Sequence, residues 1–268
     1  MIDPRRTLAP LGRRRAAVTA NQSVGPYRLL RCADPGGPAP QPGQFYMLAT
    51  VELWGGGADE RPHLPRAFSY LRARPGELEF LLEEVGPGTR RLAELRLGEE
   101  LWLLGPLGRG FAAPREGRGA LLVGGGIGVV PLACWQDELR AGGASAPALL
   151  GFRDGAHAAA AELLHDVELA TDDGAAGHAG LVTELLDARL GEDRDLEVYA
   201  CGPPAMLEAV RVAAGERGVP AQLALEAGMA CGYGACFGCV VPTRAGYLRL
   251  CVDGPVLEAA EVEAVPAA

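Results

Sequence analysis

Four of the seven cysteines in this 268-residue chain lie close together, Cys231, Cys236, Cys239 and Cys251, in the frame C-x4-C-x2-C-x11-C. The first three follow the spacing of a plant-type 2Fe-2S centre, and four thiolates suffice to surround one two-iron cluster. Gly232, Gly234 and Gly238 stand between the ligands, where a loop must wrap tightly and turn backbone N–H groups toward sulfur. A zinc knot and a pair of disulfides use the same residues. The glycine-laced C-x4-C-x2-C opening favours iron and sulfur over zinc, and a reducing compartment opposes disulfides. Cys32, Cys134 and Cys201 fall in apolar or strand contexts and read as buried filler.

A second chemistry is phosphate binding. The apolar run Ala120 to Val123 leads into Gly124-Gly125-Gly126-Ile127-Gly128-Val129-Val130-Pro131, a glycine turn opening a helix whose N-terminus a phosphate can approach. Val129 replaces the last glycine of a G-x-G-x-x-G frame, so this turn alone does not separate a nucleotide site from an ordinary tight turn. Tyr199-Ala200-Cys201-Gly202-Pro203-Pro204 ends another strand, and Thr171-Asp172-Asp173-Gly174 a third. Turns at the carboxyl ends of parallel strands are where open α/β sheets bind ligands, so together they predict a nucleotide crevice. Earlier in the chain, Arg66-Ala67-Phe68-Ser69-Tyr70 sets a guanidinium, a ring and a hydroxyl on one strand. The Arg could fork onto a pyrophosphate, although alone the segment reads first as a strand with an exposed Arg. Gly86-Pro87-Gly88-Thr89 offers a further grip at a short helix.

Other chemistries are excluded by residue type. The chain has no Lys, which removes Schiff-base enzymes and the Walker A lysine, and its three Ser (Ser23, Ser69, Ser145) lie in no G-x-S-x-G frame. His63, His157, His165 and His178 show no zinc pairing and read as scattered surface or core residues. No side chain is assigned a catalytic role. With 34 acidic against 25 basic residues, the net charge of −9 provides no field to recruit nucleic acid or an anionic membrane. The arginines near the start have no apolar stretch behind them, so neither a secretory signal nor a membrane anchor is expected, and the cytoplasm is the expected site. Ala120 to Trp135 is apolar but too short, and too rich in glycine, to span a bilayer.

The elements that must hold these residues fall into three textures. Up to about Ala113, strands at Ala16 to Val24, Tyr27 to Cys32, Phe45 to Leu53, Ala67 to Leu71, Leu78 to Val85 and Glu100 to Leu104 predict a small antiparallel barrel. A single short helix, Thr89 to Leu95, interrupts them. From about Gly119 to Glu226, strands at 120–123, 148–152, 167–170, 196–201 and 222–225 alternate with helices at 130–140, 157–164, 181–190 and 205–217, the pattern of a parallel sheet. The Pro- and Gly-containing stretch Ala112 to Arg118 is the expected boundary. The tail has little periodic structure of its own and needs a staple. Met229, Tyr233, Phe237 and Val240 around its cysteines have the apolar character of an interface core.

Taken in order, R-A-F-S, G-P-G-T, G-P-L-G-R-G-F (Gly105 to Phe111), G-G-G-I-G-V-V-P, T-D-D-G, Y-A-C-G-P-P-A-M and the four-Cys tail resemble the ferredoxin-NADP reductase superfamily. More narrowly, E-A-G-M-A-C-G-Y-G-A-C-F-G-C followed by C-V-D-G-P-V resembles the electron-transfer subunits of type B dihydroorotate dehydrogenase. The resemblance implies an FAD-binding Greek-key β-barrel (1–113), an NAD-binding Rossmann-like α/β domain (114–226) and a Cys-rich 2Fe-2S lobe (227–268). It places FAD against Arg66, Ala67, Phe68, Ser69, Gly88 and Thr89, with Leu82, Glu83 and Glu84 on its other side. It sets the nicotinamide nucleotide beside Gly124, Gly126, Gly128, Cys201, Gly202 and Pro203, and the cluster on Cys231, Cys236, Cys239 and Cys251. It further implies an FMN-containing catalytic partner that oxidises dihydroorotate in pyrimidine (UMP) synthesis, in a heterotetramer of two plus two. Ala67 and Gly228 depart from the family pattern, which often has Pro and a basic residue there. A ferredoxin-NAD(P) oxidoreductase with another partner, and a zinc-stapled binding protein on a degenerate reductase scaffold, are the alternatives.

Overall fold

The computed structural model describes residues 3–9, 12–55 and 61–266. Its first sheet is built from β1 (Arg14–Val24), β2 (Tyr27–Ala33), β3 (Phe45–Thr50), β4 (Arg66–Ser69), β5 (Arg72–Arg74) and β6 (Glu77–Leu82), then, after the short helix α1 (Pro87–Ala93), from β7 (Glu100–Leu107). These seven strands pair antiparallel in the order β4-β3-β7-β1-β2-β6-β5. Alternating apolar residues turn Ala16, Val18, Leu30, Leu48, Phe80 and Leu103 into one core, and β3 is buried along its whole length. The strand expected to run from Phe45 to Leu53 stops at Thr50, and beyond it Leu53 takes φ 57°, a left-handed conformation no strand carries. The helix α1 begins at Pro87, earlier than expected, because proline is pre-set for a first helical turn. The strand β5 has no counterpart among the expected strands, since its three residues are too few for a period to show.

The second sheet takes β8 (Gly119–Gly125), β9 (Ala148–Phe152), β10 (Val167–Thr171), β11 (His178–Ala179), β12 (Leu196–Cys201) and β13 (Ala221–Ala224). Helices α2 (Val129–Ala141), α3 (Val182–Glu192) and α4 (Pro204–Arg217) are interleaved with them. The strands β11-β10-β9-β8-β12-β13 run parallel in that order, and β12 is buried at every residue, as a sheet covered on both faces requires. The helix expected at 157–164 is a 3-10 helix, His157–Leu163, with no side-chain cap.

The tail is more structured than its sequence pattern predicts. The hairpin β14 (Val240–Thr243) and β15 (Gly246–Arg249) precedes β16 (Val256–Glu258), which pairs antiparallel with β13 and ends the second sheet. One hydrophobic cluster joins Phe45 and Met47 of the first sheet, Leu121 and Leu223 of the second, and Leu250 and Cys251 of the tail. The stretch at the expected boundary is pinned too: Ala112 N donates to Gln222 Oε1 at 2.9 Å, and Tyr199 Oη donates to Ala112 O at 3.0 Å. No helix among the described residues is long and apolar enough to cross a membrane.

Candidate functional site

The parallel strands end at a cavity of about 490 Å³, the size of a small-molecule site. Gly125 ends β8 and Gly126 to Gly128 follow it, Arg153 follows β9, Asp172 follows β10, Gly202 and Pro203 follow β12, and Glu226 lies just beyond β13. The two glycine turns meet backbone to backbone: a Cβ on Gly128 would fall 2.2 Å from Cys201 O. Only glycine permits that approach. Of the residues expected around the nicotinamide nucleotide, Gly126, Gly128, Gly202 and Pro203 line the cavity. Gly124 and Cys201 lie beneath it, Gly124 against Leu150 and Leu132, and burial raises the Cys201 thiol well above its usual range.

The antiparallel sheet closes the other wall with Tyr27 and Glu83. Tyr27 packs edge-on against His157 at 5.6 Å between ring centres, and its buried hydroxyl has no partner. His157 Nδ1 lies 2.7 Å from Asp154 Oδ1, and its Nε2 lies 3.6 Å from Glu83 Oε1. Contact with the His157 side chain, reinforced by backbone donors, holds the Asp154 carboxyl below its usual range. Glu226 is reached by solvent, yet the protein crowding it raises its carboxyl. Asp172 lies in the turn expected to border the nucleotide crevice, whereas Tyr27, Arg153, His157 and Glu226 were not among the expected site residues. Arg153 and Glu226 had a signal, since each directly follows a parallel strand or its last turn.

Along the first sheet, β4 pairs with β3 so that Phe45 faces Ser69 and Tyr46 faces Phe68. The Arg66 side chain lies over α1 so closely that a Cβ on Gly88 would come within 2.8 Å of its Nε. Its Nη1 donates to Leu64 O at 2.6 Å. Nearby, a cleft of about 280 Å³ is lined by Leu53, Arg61, Pro62, Pro87, Arg90, Arg91 and Glu94. Trp54 Nε1 and Arg91 Nε are buried without partners, while Arg91 Nη1 donates to Glu94 Oε2 at 3.4 Å. Thr89 serves its own turn: Oγ1 accepts from Val85 N at 2.9 Å and from Gly86 N at 3.0 Å. Leu82 is buried in the core, whereas Ala67 and Glu84 are exposed.

The cysteine loop sits directly on the first sheet. A Cβ on Gly232 would fall 2.5 Å from Met47 Cγ of β3 and 3.1 Å from Leu107 Cδ1 of β7. Backbone N–H groups point at sulfur, with Cys236 N to Cys231 Sγ 3.4 Å, Gly238 N to Cys236 Sγ 3.5 Å and Cys251 N to Cys239 Sγ 3.4 Å. Burial raises the Cys231 thiol, but backbone donors from Cys236 and Tyr233 outweigh it and bring it down to about 6. Cys251 is pushed up to about 12 by burial and by its neighbour Cys239. The Cys231 thiol interacts most closely with Cys236 and the Cys251 thiol with Cys239, and Cys251 also feels the charge of Cys231. Among the described residues no three His, Cys, Asp or Glu converge on one ion. An all-thiol donor set with backbone N–H groups on its sulfurs fits an iron–sulfur cluster. Tyr233, Phe237 and Tyr247 stand exposed around it.

Residues 226–263 match the model of the iron-sulfur cluster binding domain of dihydroorotate dehydrogenase B. A protein of Geobacillus kaustophilus named dihydroorotate dehydrogenase B (NAD(+)), electron transfer subunit, is 40% identical over 231 residues, 83% of this chain and 86% of its own length. The counterpart of Geobacillus thermodenitrificans is 37% identical over 263 residues, 94% of this chain and 99% of its own. Among solved structures, an NADH-dependent reduced ferredoxin-NADP oxidoreductase superposes with a TM-score of 0.81 at 26% identity, covering 92% of this chain and 89% of that one. Phthalate dioxygenase reductase shares the fold, with a TM-score of 0.63 at 16% identity over 95% of this chain and 96% of its own. The cavity at the ends of the parallel strands, the arginine-lined cleft and the four thiols thus belong to a member of the family of electron transfer subunits of NAD(+)-dependent dihydroorotate dehydrogenase B.

Proposed function

We propose that this chain carries FAD, a 2Fe-2S cluster and NAD, and passes electrons from dihydroorotate oxidation to NAD+ in pyrimidine synthesis. Its donor is the FMN of a separate catalytic subunit, with which it forms a heterotetramer of two plus two. The observation that carries this reading is the seat of the cysteine loop on Met47 and Leu107, which brings the thiols against the sheet that bears Arg66 and Ser69. The same reading assigns residues 1–113 to an FAD-binding Greek-key barrel, 114–226 to the NAD domain and 227–268 to the cluster lobe, in a cytoplasmic protein.

Bound FAD supplies the exchange between single electrons and a hydride, and the cluster supplies single-electron transfer. The chain's residues hold and orient these groups. Arg66, with Phe68 and Ser69 on β4 and Gly88 beneath its guanidinium, would hold the flavin nucleotide, while Thr89 shapes the turn. Gly126, Gly128, Gly202 and Pro203 leave room for a dinucleotide at the strand ends, with Gly124 and Cys201 supporting them from below. Cys231, Cys236, Cys239 and Cys251 would ligate the cluster, their backbone donors tuning its potential.

The test is reconstitution. The isolated chain should reduce artificial acceptors with NADH yet leave dihydroorotate unoxidised, and adding the FMN-bearing subunit should confer dihydroorotate-dependent NAD+ reduction. Cys239→Ser should lose iron and the coupled reaction while keeping the NADH-to-acceptor activity. Survival of the coupled reaction without iron, or zinc in place of about two irons per chain, would reject the relay.

A further inference from the structure

In a nucleotide crevice of this type, the residue at the end of the strand after the glycine turn governs the adenosine ribose: an acid holds the free 2′-hydroxyl, whereas an arginine accommodates a 2′-phosphate. Here that strand is β9 and the residue after it is Arg153, which lines the cavity. By position alone the chain would take the phosphorylated dinucleotide. The structure shows this arginine already engaged. Its Nη2 donates to Glu83 Oε1 at 3.2 Å, from the opposite sheet, and its Nε lies 3.6 Å from Asp154 Oδ2. It also contacts the His157 ring. Asp172 and Glu226 add two more carboxylates to the cavity wall, and Arg153 is the one arginine among the described lining residues.

A 2′-phosphate brings about two negative charges. At Arg153 it would compete with Glu83 for the guanidinium, and it would face Glu83, Asp172 and Glu226 against that single arginine. A 2′-hydroxyl is neutral and can donate to a carboxylate such as Asp172. We propose that Glu83, reaching across from the antiparallel sheet to neutralise Arg153, together with Asp172, makes the cavity selective for the dinucleotide without a 2′-phosphate. This rests on the reading of the cavity as the nicotinamide nucleotide site. Glu83 thereby acts as a specificity-determining residue, although it lies outside the nucleotide-binding sheet.

The experiment compares NADH with NADPH as reductants of the flavin-loaded chain, and 5′-AMP with 2′,5′-ADP as competitive inhibitors. The parent protein should favour NADH and bind 5′-AMP more tightly. Glu83→Gln and Asp172→Asn should each raise the NADPH-to-NADH ratio of kcat/KM by about tenfold, one decade for one altered charge, and narrow the gap between the two inhibitors. The gain from Glu83→Gln should vanish in Glu83→Gln/Arg153→Met, since it depends on the freed guanidinium; a general loosening of the fold would persist there. Should Glu83→Gln fail to retain flavin, Asp172→Asn carries the test from a different strand. Equal use of both nucleotides by the parent, or ratios unmoved in both variants, overturns the proposal and leaves the cavity reading intact. If neither nucleotide reduces or competes, the cavity reading itself is wrong and the selectivity falls with it.

Discussion

Arg66 and Gly88 form a single device, because the guanidinium occupies the space that any side chain at position 88 would fill. A charge-assisted pair between such an arginine and a pyrophosphate contributes about 1.5–3 kcal/mol, roughly tenfold to a hundredfold in affinity. Arg66→Ala should therefore lower flavin content after gel filtration, and Arg66→Lys should restore it only in part, because an ammonium cannot fork onto two oxygens. Flavin content equal to the parent in Arg66→Ala would return the residue to an ordinary exposed strand position. The grouping of the cysteines was legible at this scale, because Cys231, Cys236 and Cys239 stand close together in the chain. Tyr27 and His157 were not, since their meeting is a contact between two sheets that neither local sequence encodes.

The helix α4 carries a tether for the end of the chain. Glu208 accepts from Arg211 Nη2 at 2.6 Å and from Val265 N at 2.9 Å. Its contact with Arg211, opposed by burial and reinforced by the Val265 N–H, holds the carboxyl at about 2, below the ordinary 4.5. A lowered folded-state pKa gives stability that is complete above about 4.5 and fades as the pH falls toward 2. Proteolysis of the last residues should thus be slow at pH 6 and accelerate between pH 4 and 3, and Glu208→Gln should make it fast at both ends. Rates independent of pH in the parent would show that the tether carries no weight. Apart from β5 and β11, three and two residues long, the strands of both sheets before the tail could be read from alternation and apolar runs, to within a few residues. The tail could not: β14 to β16 are only three or four residues each, and β16 owes its conformation to pairing with β13.

At the scale of the whole molecule, the stretch between the sheets is a fixed joint. Gln222 bonds Ala112 through both ends of its amide and donates to buried Glu197 Oε1 at 2.9 Å, while Arg115 N donates to Glu197 Oε2 at 2.9 Å. Gln222→Leu removes a donor from a buried carboxylate and should lower stability by about 1–3 kcal/mol in urea unfolding. An unchanged midpoint would mean that the joint is held by its apolar contacts alone. The return of the chain through β16 has a bearing on biogenesis. Cys251 lies five residues before that strand, and an isolated bridge between Arg109 and Pro255 ties the turn between them to the segment just after β7. In chain order Cys251 comes after every strand of the two sheets except β16, whose pairing with β13 anchors the segment that follows it. On the proposed reading, iron loading follows folding of both sheets, so a chain stopped before Val256 should retain no iron, and iron held by that shortened chain would reject this order of events.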